Sequence, residues 1–295
     1  MKQHDDAHGF RVFGGTTLSL PVLVSVPHAG RDYPDIVFSA LRLPRPALLR
    51  LEDRYADLLA RNLARSESPV IIAQRARAWI DLNRDETDLD VEMVRGADRV
   101  NYSQPGAKQR GGLGLVPRRL SGDGDLWKRP FELADIEDRI ATFHRPYHLQ
   151  VSDILRRMRA KFGVAILLDL HSMPPVRQPA PHGGQLAAAP QFVVGDRFGQ
   201  SAASQYAELL IGQIRLRGFG AALNHPYAGE YILRRHANPV ANIHAVQLEV
   251  DRSLYLDSEM REPGGGLPAI TSLIGDLVYA LADRALGTAT LIAAE

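Results

Sequence analysis

Two histidines in the sequence follow apolar runs closely, in the position where the end of a buried strand can carry chemistry. Residues 164–168 are apolar, and Asp169 and His171 come after them. Residues 18–26 form a second, mostly apolar run, and His28 follows it after one proline. A histidine can bind a metal through one ring nitrogen while a carboxylate holds the other. His28 and His171 are therefore candidate metal ligands, and Asp169 is either the partner of His171 or the cap of a turn.

A third apolar segment ends in acidic residues. The alternation within residues 245–250 places Gln247 and Glu249 on one side of a strand. An unpaired carboxylate at a buried position is costly, so Glu249 is a candidate for chemistry, with a salt bridge to Arg252 as the alternative. Two imidazoles and one carboxylate are the ligands of a catalytic zinc, and a further glutamate can take a proton from water. This combination favours metal-assisted hydrolysis.

Composition narrows the function classes further. The 295 residues contain no cysteine, so a metal would have to be held by histidines and carboxylates. The formal net charge of +1 gives no reason to expect a nucleic-acid or membrane partner. The polar N-terminus, residues 1–10, lacks the apolar core of a signal peptide, and we expect a soluble, cytoplasmic protein. Motifs of serine hydrolases, of zinc proteases with two histidines on one helix, and of dinucleotide-binding proteins are absent from the sequence.

The elements that would position these residues alternate between strands and helices. Besides the three runs above, the pattern predicts strands at 69–73, 191–195 and 219–224, and helices at 48–65, 133–159, 204–217 and 267–285. We therefore predict an α/β fold, with a mostly parallel mixed sheet flanked by helices. Residues 1–295 are expected to form one domain, with a long loop insertion around 85–125 that is a candidate lid.

Two other groups of polar residues have helical spacing. The predicted helix at 48–65 would place Asp53 and Asp57 on one face, and a solvated helix face explains such acids more often than metal binding does. His144 and His148 are also one turn apart, but Pro146 interrupts the helix between them. We expect these two histidines to be packing or surface residues.

Seven short motifs occur in one order along the chain and together resemble the N-formylglutamate amidohydrolase family. They are Ser25-Val26-Pro27-His28-Ala29-Gly30, Glu52-Asp53-x-x-x-Asp57-Leu58, Arg77-x-x-Ile80-Asp81-Leu82-Asn83-Arg84, Asp169-x-His171-Ser172-Met173-Pro174, Val194-Gly195-Asp196-Arg197, Pro226-Tyr227-x-Gly229 and Gln247-Leu248-Glu249-Val250-Asp251-Arg252-x-Leu254-Tyr255. Two of the motifs also resemble aspartoacylase and succinylglutamate desuccinylase. The resemblance implies a zinc-carboxypeptidase-like architecture of the phosphorylase/hydrolase-like kind.

The resemblance also implies roles for individual residues. His28 and His171 match metal ligands of the family. The carboxypeptidase pattern has a glutamate three residues after the first histidine, but this chain has Arg31 there. The third ligand is therefore expected to be Asp53, with Glu52 as the alternative.

Further residues of the motifs match catalytic and substrate-binding positions. Glu249 matches the catalytic glutamate, and Arg77 lies where relatives keep an arginine that polarises the scissile carbonyl. Asn83 and Arg84 match a pair that grips a substrate carboxylate, and Tyr227 and Arg252 are expected to assist them. Asp169 is expected to support His171 from behind the metal. Without the resemblance, Arg77 and Arg84 would be equally well explained as surface arginines.

The function expected from these motifs is metal-dependent hydrolysis of a small N-acyl amino acid, with N-formyl-L-glutamate as the leading substrate. The cofactor would be one divalent metal. Zn²⁺ is the expected ion, although iron, cobalt or manganese suit the same ligands. The alternatives are hydrolysis of a different N-acyl amino acid or a peptide end, and a non-catalytic binding protein on the same scaffold. The sequence does not indicate an oligomeric state.

Overall fold

The computed structural model of the chain describes residues 9–14, 18–63, 68–97, 111–176 and 189–293. The strands in chain order are β1 (Phe10–Phe13), β2 (Val22–Val26), β3 (Val70–Ala73), β4 (Val94–Arg95), β5 (Arg119–Leu120), β6 (Gly124–Asp125), β7 (Phe131–Glu132), β8 (Ala165–Met173), β9 (Phe192–Gly195), β10 (Ala221–Leu223) and β11 (Ile243–Asp251).

The α-helices in chain order are α1 (Asp35–Ala40), α2 (Ala56–Leu59), α3 (Leu133–Arg139), α4 (Arg145–Phe162), α5 (Ser204–Leu216), α6 (Tyr231–His236) and α7 (Leu267–Ala293). A π-helical turn, Ile140–His144, joins α3 to α4. Short 3₁₀ helices lie at Arg45–Leu51, Pro239–Ala241 and Arg252–Leu254. Within the described ranges, no helix is long and apolar enough to cross a membrane.

Within the described ranges, seven of the strands form one mixed sheet in the order β1-β3-β2-β8-β11-β9-β10. The four central strands, β3, β2, β8 and β11, run parallel. β1 is antiparallel to β3, and β9 is antiparallel to β11. The prediction of a mostly parallel mixed sheet flanked by helices is therefore confirmed. Strand β1 was not predicted, because four residues at a sheet edge carry too little pattern.

Helices cover both faces of the sheet, and side chains of β8 alternate between them. Leu167 belongs to the core formed with α4, whereas Leu168 belongs to the core formed with α5 and α7. All nine residues of β8 are buried. Toward the carboxyl end of β8, the face that Leu167 shares with α4 changes from apolar residues to Asp169 and His171. The same face of β11 changes from Ala245 to glutamine and glutamate, so the polar end of this face lies at the carboxyl edge of the sheet.

The predicted helix at 48–65 is wrong in one important respect. The chain forms a 3₁₀ helix that ends at Leu51, continues extended at Glu52, and resumes as the single turn α2. Tyr55, just before α2, has a φ of 58°, in the left-handed region. Asp53 and Asp57 therefore do not share a helical face. Asp57 instead bonds both terminal nitrogens of Arg31, at 2.8 and 3.0 Å.

The described parts of the predicted loop at 85–125 contain very little regular structure. They hold only β4, β5 and β6, which are two residues long each. Residues 98–110 of this loop, and residues 177–188 of the proline- and glycine-rich loop after His171, lie outside the described residues. The predicted helix at 133–159 runs from 133 to 162 through the π-helical turn, and Pro146 occupies the first turn of α4, where proline is tolerated.

Candidate active site

Three side chains from separate parts of the sequence converge at the carboxyl edge of the central strands. His28 follows β2, Asp53 lies between the 3₁₀ helix and α2, and His171 lies on β8. One possible ligand atom from each of the three lies within 4.8 Å of the other two. Nδ1 of His171 is 3.0 Å from Oδ2 of Asp53, and Nδ1 of His28 is 3.7 Å from the same oxygen. All three residues are buried, with 3% of their surface exposed.

Each imidazole is held by a buried carboxylate through its other nitrogen. Nε2 of His28 lies 2.7 Å from Oδ1 of Asp81, and Nε2 of His171 lies 2.8 Å from Oδ2 of Asp169. Because a carboxylate only accepts, each Nε2 carries a proton, and each Nδ1 is the ring atom that a metal could bind. Ser25 donates to the other oxygen of Asp169 at 2.9 Å. The two rings therefore present matching metal-binding atoms toward Asp53.

The donor set fits a small divalent metal. Ligand atoms around a tetrahedral zinc are about 3.3 Å apart, and the distances from Asp53 to the two Nδ1 atoms fall on either side of that value. Burial alone would raise the pKa of the Asp53 carboxyl, but His171 and His28 hold it well below its usual range. Burial would lower the pKa of His171, but Asp169 and Asp53 raise it well above its usual value. A metal would therefore compete with a proton at this ring.

Arg252 restricts how Asp53 can act. Its Nη2 donates to Oδ1 of Asp53 at 3.1 Å, and its Nε donates to the hydroxyl of Ser172 at 3.0 Å. Oδ1 is thus occupied, and Oδ2 is the oxygen that faces both histidines. This arrangement favours a single-oxygen ligand at Asp53. Arg252, expected to bind substrate, therefore also contacts the proposed metal ligand.

Glu52, the alternative third ligand, faces other partners. Tyr33 donates to its Oε1 at 2.5 Å, and Arg54 donates to its Oε2 at 2.9 Å. Both of its carboxylate oxygens are used in these contacts. Between the two acids, the geometry favours Asp53 as the ligand.

Glu249 lies beside His171 across the β8–β11 pairing. Its Oε1 accepts a hydrogen bond from Nε2 of Gln247 at 3.0 Å. Burial raises the pKa of Glu249 to about 7, and the charge of Asp53 adds to this while His171 and Arg252 oppose it. A carboxyl group with such a pKa can accept and return a proton near neutral pH.

Arg77 is fixed by the same carboxylate that holds His28. Its Nε donates to Oδ2 of Asp81 at 2.8 Å. Burial would lower the pKa of Arg77, but Asp81, Asp53 and Glu249 raise it, so the guanidinium stays charged. Asp81 thus connects a candidate metal ligand to a candidate oxyanion-stabilising group. Burial would raise its own pKa, but Arg77, His28 and Arg84 hold it well below its usual range.

Asn83 and Arg84 are buried and firmly oriented. Oδ1 of Asn83 accepts from the backbone N–H of Ile232 at 2.9 Å, which leaves its Nδ2 as the available donor. Nε and Nη1 of Arg84 donate to the carbonyls of Leu113 and Asn83, at 2.8 and 2.6 Å. These two side chains could offer at most their remaining nitrogens to a substrate. Arg84 is only 5% exposed, so the alternative interpretation of it as a surface arginine is wrong.

Tyr227 approaches the site from the segment that follows β10. Burial raises the pKa of its phenol, and Glu249 raises it further. The segment passes tightly over β9, because a Cβ at Gly195 would lie 2.7 Å from the carbonyl carbon of Ala228. The amide of Arg197 also donates to the carbonyl of Ala228 at 2.8 Å. The glycine in the Val194–Arg197 motif thus permits this close approach.

A cavity of about 610 Å³ opens next to these groups and is rich in arginine. Arg77 and Arg252 line it together with Arg50, Arg119 and Arg261, while Glu259 is its acidic residue. Several of these arginines are already paired: Arg50 with Asp123, and Arg119 with Asp125. A cavity of this character suits an anionic small molecule.

The sequence interpretation assigned no role to two residues that the structure brings into the site. Asp81 holds His28, although it lies 53 positions away along the chain. Gln247 holds Glu249, two positions away on the same strand. For Gln247, the alternation of side chains along the predicted strand, which places it on the same side as Glu249, was the signal that could have indicated this contact. For Asp81, a single sequence shows no trace of such a long-range contact.

Comparison with known proteins gives a consistent result. The family described as "N-formylglutamate amidohydrolase" matches residues 20–256. An N-formylglutamate deformylase of Pseudomonas putida is 34% identical over 243 residues, covering 81% of this chain and 82% of that protein. One from Pseudomonas aeruginosa is 30% identical over 253 residues, covering 81% and 84%.

A solved structure agrees with the sequence relatives. The crystal structure of N-formylglutamate amidohydrolase from Ralstonia eutropha superposes with a TM-score of 0.84 at 26% identity, covering 94% of this chain and 98% of that one. The fold, the converging residues and these matches have one explanation: the chain belongs to the N-formylglutamate amidohydrolase family.

Proposed function

We propose that this protein is a metal-dependent amidohydrolase that converts N-formyl-L-glutamate to L-glutamate and formate. The observation that carries the proposal is the convergence of His28, Asp53 and His171 beside a buried glutamate with a raised pKa. The relatives described above are named for the same reaction. The site also offers positively charged groups for a substrate that carries two carboxylates.

The cofactor would be one divalent metal, and zinc is the proposed ion. His28 and His171 would bind it through Nδ1, and Asp53 through Oδ2, because these are the atoms that face one another. When bound, such a metal acts as a Lewis acid that polarises a carbonyl and makes a water molecule easier to deprotonate. Asp81 and Asp169 would keep both rings in the tautomer that metal binding requires.

Glu249 would act as the general base and then as the general acid. As a carboxylate it takes a proton from the attacking water, and it then returns that proton to the amide nitrogen that leaves as an amine. The pKa of about 7 suits both steps, because the group is then neither a very weak base nor a very weak acid at neutral pH. Gln247 donates to Oε1, which leaves Oε2 for this exchange.

Arg77 would stabilise the negative charge that develops on the formyl oxygen. Its guanidinium remains charged, lines the cavity and is held on one side by Asp81. A donor that is fixed before the reaction needs no reorganisation as charge develops, and such donors are effective in catalysis.

The carboxylates of the substrate would bind to the remaining nitrogens of Asn83, Arg84 and Arg252, with Tyr227 closing one side. Anchored amide and guanidinium groups recognise carboxylates with defined geometry. Of these residues, Arg252 lines the arginine-rich cavity directly.

Metal analysis combined with a substrate panel tests the proposal. The purified protein should contain about one metal ion per chain, and it should release formate from N-formyl-L-glutamate. We expect a kcat/KM at least about tenfold higher for this substrate than for N-formyl-L-aspartate or N-acetyl-L-glutamate. Preference for another acyl group or amino acid would overturn the substrate, whereas absence of both metal and turnover would indicate a binding protein.

A further inference from the structure

Polar side chains on β8 and β11 form two rows on the face that carries the active site. The upper row pairs His171 with Glu249, and the lower row pairs Asp169 with Gln247. Side chains two positions apart on a strand point to the same side, so each lower residue lies directly before an upper one. All four are buried, with at most 8% of their surface exposed.

The two strands use the lower row in the same way. On β8, Asp169 accepts the ring N–H of His171 at 2.8 Å and thereby fixes the orientation of the ring. On β11, Gln247 donates its amide N–H to Oε1 of Glu249 at 3.0 Å. In each case a buried residue of the lower row holds the reactive residue two positions further along the same strand.

The amide oxygen of Gln247, Oε1, indicates which interaction accounts for the amide. Its Oε1 is buried and has no hydrogen-bond partner among the described residues. Turning the amide over would bring Oε1 against the carboxylate of Glu249, where two acceptors would repel. A buried acceptor without a partner is unfavourable, so packing alone would favour an apolar residue at this position. The contact with Glu249 is therefore the interaction that accounts for an amide here.

We propose that Gln247 is a positioning residue that holds the Glu249 carboxylate in the orientation needed for proton transfer. This inference rests on the proposed function, because it concerns the general base of that reaction. Without the amide, Glu249 would have no protein donor among the described residues and could rotate between side-chain conformers. Misplacement of a reacting group by about 1 Å can cost on the order of a hundredfold in rate.

Kinetics of two substitutions test the proposal in the metal-loaded enzyme. Gln247→Met keeps the length but has no donor, and Gln247→Leu removes the amide without adding a charge. We expect either variant to lower kcat by roughly 10- to 100-fold while KM and metal content stay close to wild type. His244→Gln, on the opposite face of the same strand, is the matched control and should keep full activity.

A double-mutant cycle separates positioning from a general structural role. In a Glu249→Gln background the base is already absent, so adding Gln247→Met should change the residual rate less than about twofold. A loss of equal size in both backgrounds would overturn the proposal. Loss of metal, or a lowered melting temperature that accounts for the lost activity, would overturn it as well.

Crystal structures provide a readout that does not depend on the reaction. In Gln247→Met, the Glu249 side chain should occupy more than one conformer or move away from its wild-type position. An unchanged, single Glu249 conformer would contradict the positioning role, even if the substrate proved to be different. Absence of N-formylglutamate turnover in the wild type would contradict the proposed function alone.

Discussion

The backbone N–H of Asp53 donates to the backbone carbonyl of His28 at 2.9 Å. This bond connects two candidate metal ligands through their main chains. Asp53 can make it because it lies in the non-helical segment between the 3₁₀ helix that ends at Leu51 and α2. The positions of these two candidate ligands are thus set by a main-chain contact that needs no ion. Proteins whose metal sites are preformed in this way should remain folded without metal, in contrast to domains that fold only on metal binding.

Removal of the metal should therefore abolish activity without unfolding the protein. We expect a chelator to eliminate formate release while the far-ultraviolet circular dichroism spectrum remains unchanged. Adding Zn²⁺ back should restore turnover. Loss of the spectrum on chelation would show that the site is not preformed.

Substitutions of the two neighbouring acids, Asp53 and Glu52, test which of them is the third metal ligand. Asp53→Asn should lose most of the bound metal and lower kcat/KM by at least about a thousandfold, because a ligand and its charge are both weakened. Glu52→Gln is the matched control, since Glu52 bonds Tyr33 and Arg54. Metal loss in Glu52→Gln with retention in Asp53→Asn would reverse the assignment.

Arg77 should act on the transition state and not on substrate affinity. We expect Arg77→Lys to lower kcat by about 10²- to 10³-fold with little change in KM, because one positioned donor to the oxyanion is lost. Arg75→Lys is a suitable control, since Arg75 is partly exposed and paired with Asp32. A larger effect on KM than on kcat would assign Arg77 to substrate binding.

Glu249 links activity to pH. Its pKa of about 7 means that kcat/KM should fall as pH drops through that region, because the base becomes protonated. A bound divalent cation would move this limb to lower pH. A rate independent of pH between 5 and 8 would contradict the assignment.

The same raised pKa predicts an effect on stability in the metal-free protein. The folded pKa lies above the ordinary value of 4.5, so the stabilising contribution is present below pH 4.5 and is lost as pH rises through about 7. Glu249→Gln removes this dependence. At pH 8 the metal-free variant should therefore be more stable than wild type by about 3 kcal/mol, and at pH 4 the difference should vanish. Thermal unfolding at the two pH values measures both.

Buried histidines behind the site predict sensitivity to acid. His148 and His236 contact each other through ring nitrogens 2.9 Å apart. Burial lowers the pKa of both, that of His236 to about 3. Their stabilising contribution is therefore present above pH 6.5 and is lost as pH falls from there toward 3. His236→Gln should flatten the fall in melting temperature between pH 6.5 and 4, whereas His225→Gln, at an exposed position, should leave it unchanged.

Much of the fold and part of the site could be predicted because the signal was local. The runs before His28 and His171 are apolar for several residues and then turn polar, which is typical of buried parallel strands that end at an active site. His144 and His148 were expected to be packing or surface residues, and the structure places both in the interior, fully buried.

The errors came from contacts that are distant along the chain. The spacing of apolar residues at 48–65 is that of a helix. In the structure, the hydrogen bond from Asp53 to His28 and the left-handed conformation of Tyr55 interrupt the helix. Helical periodicity cannot report a partner 25 positions away. The same limitation hid Asp81, whose two oxygens hold His28 and Arg77.

The pairing of β8 with β11 runs from Ile243 opposite Ala165 to Asp251 opposite Met173 without a bulge. This continuous register fixes the position of Glu249 relative to His171. Sliding one strand by a single residue would turn Leu248 and Val250 toward the candidate metal site and send Glu249 into the apolar layer beneath α7. The register of these two strands, and not the shape of a loop, thus sets the position of the proposed base. An insertion or deletion of one residue between Ile243 and Glu249 would therefore displace the proposed base.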